Sequence, residues 1–386
     1  MKMRYLSAHY VFPISSPPLK NGIIGVNDDG TINQIIDADD KPEECENPEF
    51  YNGILVPGFV NAHCHLELSH LHGVIEPNSG LPEFISSIGK HRRASEETII
   101  AAAKAADGEM RQNGTVAVGD ISNNACTLSV KRDSPILYRT FVEVFGLDNS
   151  RSEEIFTAAK QVEQKYRRTG MPACIAPHAI YSVSGALWEA LYQSYQSYQS
   201  SPPQVISVHH QESGEETDIY REGKGELSQM TDCLQEASRC LLVHNTFSSE
   251  DDLTKYISQR ERFYFVLCPQ SNLFIQNRLP DFLLFSKQKL YQNVCLGTDS
   301  SASNTGLSIL EEMKIIQRHA PEIPLEMLLR WATLNGAKSL KFDHLLGSFD
   351  KGKAPGINLI THVDFESQRL TTESAVKPLA LPGSFV

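Results

Sequence analysis

Histidines and carboxylates recur in one position along this 386-residue chain, immediately after short apolar, β-branched runs. His63 and His65 follow ILVPGFVNA. His178 ends ACIAPH (173–178), His209 and His210 end VISVHH (205–210), and His244 stands in CLLVHN (240–245). Asp120 stands in TVAVGDI (115–121), Glu143 in ILYRTFVEV (136–144), and Asp299 ends NVCLGTD (293–299), with Glu212 just beyond His210. Side chains alternate along a strand, so His63 and His65 share a face whereas His209 and His210 do not. Imidazole nitrogens and carboxylate oxygens of this kind are what a catalytic divalent ion needs.

Each residue alone has a plainer reading. With 13 histidines in 386 residues, an HxH pair arises by chance roughly 0.4 times. The second such pair, His70 and His72, reads as ordinary loop or pocket wall. Asp299 before Ser300 and Ser301 has the pattern of a helix N-cap. A lone His178 or His244 would more often be a hydrogen-bonded structural residue. The chemical reading rests on their joint occurrence, in order, at successive strand ends.

Eight runs must carry them: the seven above, counting ILVPGFVNAH (54–63) as one strand, and FYFVLCP (263–269). Between most lie helical stretches, such as EETIIAAAKAADGEMRQNG (96–114) and SEEIFTAAKQVEQKYRRTG (152–170), both closed by Gly and the second opened by Ser152 as N-cap. Such units argue for an α/β fold, a (β/α)8 barrel over residues 53–352. Residues 1–52, with a turn at Asp28-Asp29-Gly30, and 353–386 are expected to form a small β-sandwich domain from both termini. The long segments 66–95 and 211–235 would wall or cover the site. Phe84, Tyr181 and Tyr220 could offer flat contacts to a heterocycle, and packing is at least as good a reading for each. The tandem QSYQSYQS (193–200) reads as a frayed helix end. GSFDKGKA (347–354) resembles a phosphate loop but has Ala354 where a hydroxyl is needed, so it reads as a turn.

A net charge of −12 argues against nucleic acid or an anionic membrane as partner. No apolar run is long enough to span a bilayer, and no signal-peptide pattern opens the chain. Eight scattered cysteines without a CxxC pair read as reduced thiols in the cytoplasm.

The stretches PGFVNAHCH (57–65), APHAIYS (176–182), SVHHQES (207–213), LVHN (242–245), CPQSN (268–272), LGTDSSASN (296–304) and ATLNGAKSL (332–340) resemble the amidohydrolase superfamily, in its nucleoside and heterocycle deaminase branch. The resemblance covers nearly the whole chain. It implies a barrel, one divalent metal ion (zinc first, iron or manganese as alternatives) and hydrolytic release of ammonia from a small heterocycle. It further implies His63, His65, His209 and Asp299 as metal ligands, with Asp299 also taking a proton from water. His209 is preferred to His210 because it stands three residues before Glu212. Glu212 would shuttle a proton to the ring nitrogen, His244 would orient the water, and His178 would contact substrate. No lysine ends strand four, which favours one metal over two. Within the branch, VGDISNN (118–124), LVHNTF and LCPQSN are most similar to 6-aminodeoxyfutalosine deaminases, beside enzymes for adenosine-type nucleosides. The His-rich loop HLELSHLHG (65–73) departs from the pattern and leaves the substrate open. The alternatives are a hydrolase for another C–N or C–Cl bond of a heterocycle, and a non-catalytic barrel. Many barrels of this size form homodimers.

Overall fold

The computed structural model describes residues 3–38, 45, 47–197, 205–222, 227–382 and 384–385. Five strands come first: β1 (Met3–Val11), β2 (Leu19–Lys20), β3 (Ile23–Asn27), β4 (Ile32–Ile36) and β5 (Glu49–Pro57). The expected runs then supply β6 (Phe59–Cys64), β7 (Thr115–Ser122), β8 (Leu137–Val144), β9 (Ala173–Pro177), β10 (Val205–His210), β11 (Arg239–His244), β12 (Phe263–Leu267) and β13 (Val294–Leu296). Last come β14 (Ile357–Asp364), β15 (Arg369–Leu381) and β16 (Ser384–Phe385).

The middle strands form two parallel four-stranded sheets, β6-β7-β8-β9 and β10-β11-β12-β13. Backbone hydrogen bonds link the two sheets at the carboxyl ends of their strands. The His209 N–H donates to the His178 carbonyl at 2.9 Å, and the Thr298 and Asp299 N–H groups donate to the His63 carbonyl at 3.1 and 3.0 Å. These links put residues far apart in sequence side by side.

Strand alternation divides the core in two. Phe59, Val142, Ile175, Ile206, Leu242 and Phe265 pack with helix residues such as Leu187, Trp188 and Met313. Their neighbours Val60, Phe141, Ala176, Val205, Leu241 and Val266 form a separate cluster. Two-residue steps along that second face lead from Phe141 to Glu143, from Ala176 to His178 and from Val205 to His209. Pattern at the base of each strand therefore aims the polar residues at its end.

The run ILVPGFVNAH is two strands, not one. β5 pairs with β1 and β14, whereas β6 pairs with β7. The chain passes between them at Gly58, where a Cβ would lie 2.3 Å from Val116 Cγ1 and 2.7 Å from the Pro355 carbonyl oxygen. Only glycine tolerates that approach.

The terminal strands form one eight-stranded sheet, ordered β16-β15-β14-β5-β1-β3-β4, with β2 on β1. The turn at Asp28-Asp29-Gly30 joins β3 to β4, with Gly30 at φ 79°. GSFDKGKA is a turn: Lys353 holds Ser348 and Asp350 at 2.7 and 3.0 Å, and its backbone pairs with Ile32.

The first expected helix is Glu96–Gln112, capped by Ser95, whose side chain accepts the Thr98 N–H. The second is Ser152–Arg168. Ser152 is its first residue and not its cap, because a turn at Asn149–Arg151, capped by Asp148, precedes it. The Ser152 hydroxyl faces Ser184 at 3.0 Å instead. The segment 66–95 folds into a turn, Leu66–Leu71, and a helix, Leu81–His91. Helices Gly214–Glu222 and Leu227–Glu236 occupy most of 211–235. Gln193–Ser197 of the tandem repeat end the helix Gly185–Ser197, and 198–204 lie outside the described residues. No helix among the described residues is long and apolar enough to cross a membrane.

Candidate active site and metal centre

Ring nitrogens of His63, His65 and His209 lie within 4.8 Å of one another. His63 Nε2 and His65 Nε2 face each other at 3.2 Å. Asp299 Oδ1 stands 3.4 Å from His65 Nε2 and 3.6 Å from His63 Nε2. His209 gives Nδ1 to the His178 carbonyl at 3.0 Å, which leaves Nε2 as its ligating atom. Asp299 Oδ2 accepts from the hydroxyls of Ser271 and Ser303, at 2.6 and 2.9 Å, which leaves Oδ1 towards the histidines. His244 and Asp299 both have positive φ, 78° and 59°, which is uncommon outside glycine and turns their side chains off the strand direction.

The donor set fits a divalent cation. Burial lowers the pKa of His65 and, more strongly, of His209, where His178, His63, His244 and His65 add to the effect. Neutral imidazoles offer lone pairs, the form a metal binds. Burial would keep Asp299 protonated, but the hydrogen bond with His63 and the surrounding imidazoles hold it well below the usual carboxylate range. A cation lying among lone pairs crowded this closely would satisfy them together.

Glu212 has the opposite state. Burial, with the nearby charges of Asp299 and Glu216, pushes its carboxyl well above the usual range, which favours its protonated form. Its Oε1 lies 3.6 Å from His244 Nε2. Glu216 receives the Glu212 backbone N–H at 2.9 Å and so orients that turn. Asn272 Nδ2 donates to His244 Nδ1 at 3.0 Å, and burial lowers the His244 pKa to about 3. That ring is neutral, with Nε2 towards the cavity.

One cavity of about 270 Å³ is lined by all the expected site residues except His63, which is fully buried beside it. Leu68, Leu81, Phe84 and Ile85 make its outer wall apolar. Tyr181 also lines it, edge-on to His178 with ring centroids 5.8 Å apart. The side chain of Tyr220 lies outside the described residues. His210 points away, to Asn245 Oδ1 at 3.0 Å and the Tyr256 hydroxyl at 3.1 Å. His70 and His72 bond to the backbone carbonyls of Glu67 and Ser301 and do not line the cavity.

Asp120, expected at the rim, is fully buried beneath it, in an ion pair with Lys131. Its Oδ1 accepts the Leu66 N–H at 2.7 Å, so it braces the turn that carries His65. Ser271, Asn272 and Ser303 were not singled out by residue type. CPQSN and LGTDSSASN contain them, but nothing local in those stretches says which strand end they meet.

Residues 54–377 match the amidohydrolase family. An adenosine deaminase of Helicobacter pylori is 26% identical over 354 residues, 85% of this chain and 82% of that protein. The crystal structure of Helicobacter pylori aminofutalosine deaminase with methylthio-coformycin superposes with a TM-score of 0.79 at 22% identity, covering 99% of this chain and 100% of the other. A zinc complex of atrazine chlorohydrolase from Arthrobacter aurescens superposes with a TM-score of 0.77 at 16% identity, covering 99% and 96%. With the family match extending over most of its length, and a histidine cage at its strand ends, this chain belongs to the amidohydrolase family.

Proposed function

We propose that this protein is a metal-dependent hydrolytic deaminase that releases ammonia from a 6-aminopurine-like nucleoside or related heterocycle, aminodeoxyfutalosine among them. One observation carries the reading: two buried carboxyls, Glu212 and Asp299, face one cavity, and their surroundings push the first above and hold the second below the usual carboxylate range. Environments that push two acids apart assign an acid and a base.

His63, His65, His209 and Asp299 would hold one divalent ion, and the zinc in the chlorohydrolase relative favours zinc over iron or manganese. Such an ion supplies positive charge that brings the pKa of water towards neutrality. Asp299 then accepts a proton from the attacking water as its oxygen bonds to the carbon bearing the amine. Glu212 gives its proton to the adjacent ring nitrogen, so charge does not build there. His244 donates from Nε2 to the attacking oxygen and orients it, and His178 contacts the substrate. The proton on Asp299 passes to the amine as the C–N bond breaks. As ammonia leaves, the proton still on the attacking oxygen passes to Glu212, so the ring keeps a carbonyl and an N–H and both carboxyls regain their starting state.

The same reading takes the two parallel sheets as one closed (β/α)8 barrel that ends near 352 and starts at β6, not at residue 53, because β5 (Glu49–Pro57) belongs to the terminal sheet. The links between the sheets and the two-way division of the core support it. The terminal sheet then folds as a small sandwich from both termini, the N-terminal part running through β5 to Pro57 rather than ending at 52. Eight free cysteines support a cytoplasmic setting, and a homodimer is the proposed assembly.

Ammonia release from metal-reconstituted protein tests the function, across aminodeoxyfutalosine, adenosine, 5′-deoxyadenosine, methylthioadenosine, S-adenosylhomocysteine, adenine, guanine and a chlorotriazine. Glu212→Gln should keep metal and fold and lose about 10²–10⁴-fold in kcat. Unchanged turnover in that variant removes Glu212 from its role. A second reading, cleavage of another C–N or a C–Cl bond, draws on the likeness to atrazine chlorohydrolase. Halide in place of ammonia would establish it.

A further inference from the structure

A second cleft opens at the opposite end of the strands from the metal cage. β11 begins at Arg239 and ends at His244, which separates the two by roughly 17 Å along the strand. Around Arg239 lies a cleft of about 790 Å³, against about 270 Å³ for the active-site cavity. Its walls bear four cations, Arg239, Arg260, Lys289 and Lys338, and two acids, Glu261 and Asp343. The whole chain has a net charge of −12, so this local surplus of positive charge runs against its composition.

The protein does little to neutralise it. The side chains of Arg260, Lys289 and Lys338 have no hydrogen-bond or ion-pair partner among the described residues. Arg239 Nη1 reaches Asp343 only at 4.0 Å. Burial and the charge of Arg330 lower the Lys338 pKa, Arg239 and Lys353 add to the effect, and Asp343 offsets it in part. Lys341, on the turn that follows, is lowered by burial and by Arg239 and Arg139. The walls are held in place as well. Asn293, just before β13, donates from Nδ2 to the carbonyls of Arg260 and Phe263, which ties the loop bearing Arg260 to β12. The Arg239 guanidinium lies over the Tyr264 ring, 5.5 Å from its centroid. Donors fixed in this way lose little freedom when a ligand arrives.

Guanidinium forks and ammonium groups with unused N–H donors suit the oxygens of phosphate. A long polyanion would have to continue over a surface whose net charge repels it, which selects a compact ligand. We propose that this cleft is a second binding site, for a small oligophosphate, either inorganic or at the end of a nucleotide. Binding there brings negative charge among the crowded cations and stabilises the folded chain by linkage.

The test is calorimetric titration of the metal-loaded protein, at constant ionic strength, with inorganic pyrophosphate and with uridine triphosphate, whose base has no amine to lose. One molecule should bind per chain, and Tm should rise with it. Arg260→Ala and Lys338→Ala should each weaken binding about ten-fold, as loss of a hydrogen bond to a charged group does, with metal content and ammonia release unchanged. Lys289→Ala takes their place if either variant does not fold. Equal affinity for the two probes assigns the site to the phosphates alone, and a tighter nucleotide adds a place for its base beside Tyr291. Binding that survives these substitutions, or that strips the metal, belongs to the cage and overturns the proposal. A rise in Tm that sodium chloride reproduces at the same ionic strength is screening and also overturns it. So does the absence of binding by either probe at millimolar concentration.

Discussion

The Ser271 hydroxyl donates to Asp299 Oδ2 at 2.6 Å, across 28 residues of chain. That bond, with the one from Ser303, leaves Oδ1 towards His63 and His65. Ser271→Ala should therefore lower kcat about ten-fold, the weight of one hydrogen bond to a charged group. Metal content should stay near one ion per chain. An unchanged kcat would show that Ser303 alone suffices to orient the carboxylate.

Lys131 and Asp120 form an ion pair with both side chains fully buried. Asp120 also takes the Leu66 N–H, next to His65. Lys131→Met leaves that carboxylate charged and unpaired, which should cost about 3–5 kcal/mol in urea unfolding. Adding Asp120→Asn should recover part of the loss. A cost below about 1 kcal/mol would mean that Asp120 is neutral or solvated in the native state.

Burial raises the Glu216 pKa from 4.5 to about 7, partly offset by backbone N–H groups of Glu212, Gln211 and Ser213. Between those values the folded protein holds a proton that the unfolded chain releases. The associated stability is complete below pH 4.5 and is lost as pH rises through about 7, in total about 3 kcal/mol. Glu216→Gln imitates the protonated acid. It should gain on wild type in unfolding free energy at pH 8 and match it near pH 5. A constant difference between the two across that range would contradict the shift.

Removal of the metal should destabilise as well as inactivate. A cation at a thousand times its Kd adds about 4 kcal/mol to the folded state. Chelation should lower Tm and end ammonia release, and added zinc should restore both. His63→Ala should show a lowered Tm before any chelator and bind less than one ion per chain. Full occupancy in that variant would place the ion elsewhere.

Much of this was legible because strands report their own faces. A two-residue period separates His209 from His210, and the structure sends the first into the cavity and the second to Asn245 and Tyr256. Seven of the eight apolar runs became one strand each for the same reason. The exception, ILVPGFVNAH, broke at Gly58 because Val116 and Pro355 press on it from elsewhere in the chain. Ser152 looked like a cap, but whether a serine caps depends on the turn before it.

Residue type and local period, then, determined which imidazoles and carboxylates could stand at strand ends, and in what order. Tertiary structure alone decided what each of them meets. Asp120 and Asp299 are both acids at the ends of strands. Asp120 is sealed against Lys131 beneath the rim, whereas Asp299 is turned to the histidines by two serines. Glu143 has one oxygen tied to Asn123 and the other buried with no hydrogen-bond partner among the described residues. Those differences arise from contacts between distant segments. They set burial and hydrogen bonding, and through them the proton state of each group.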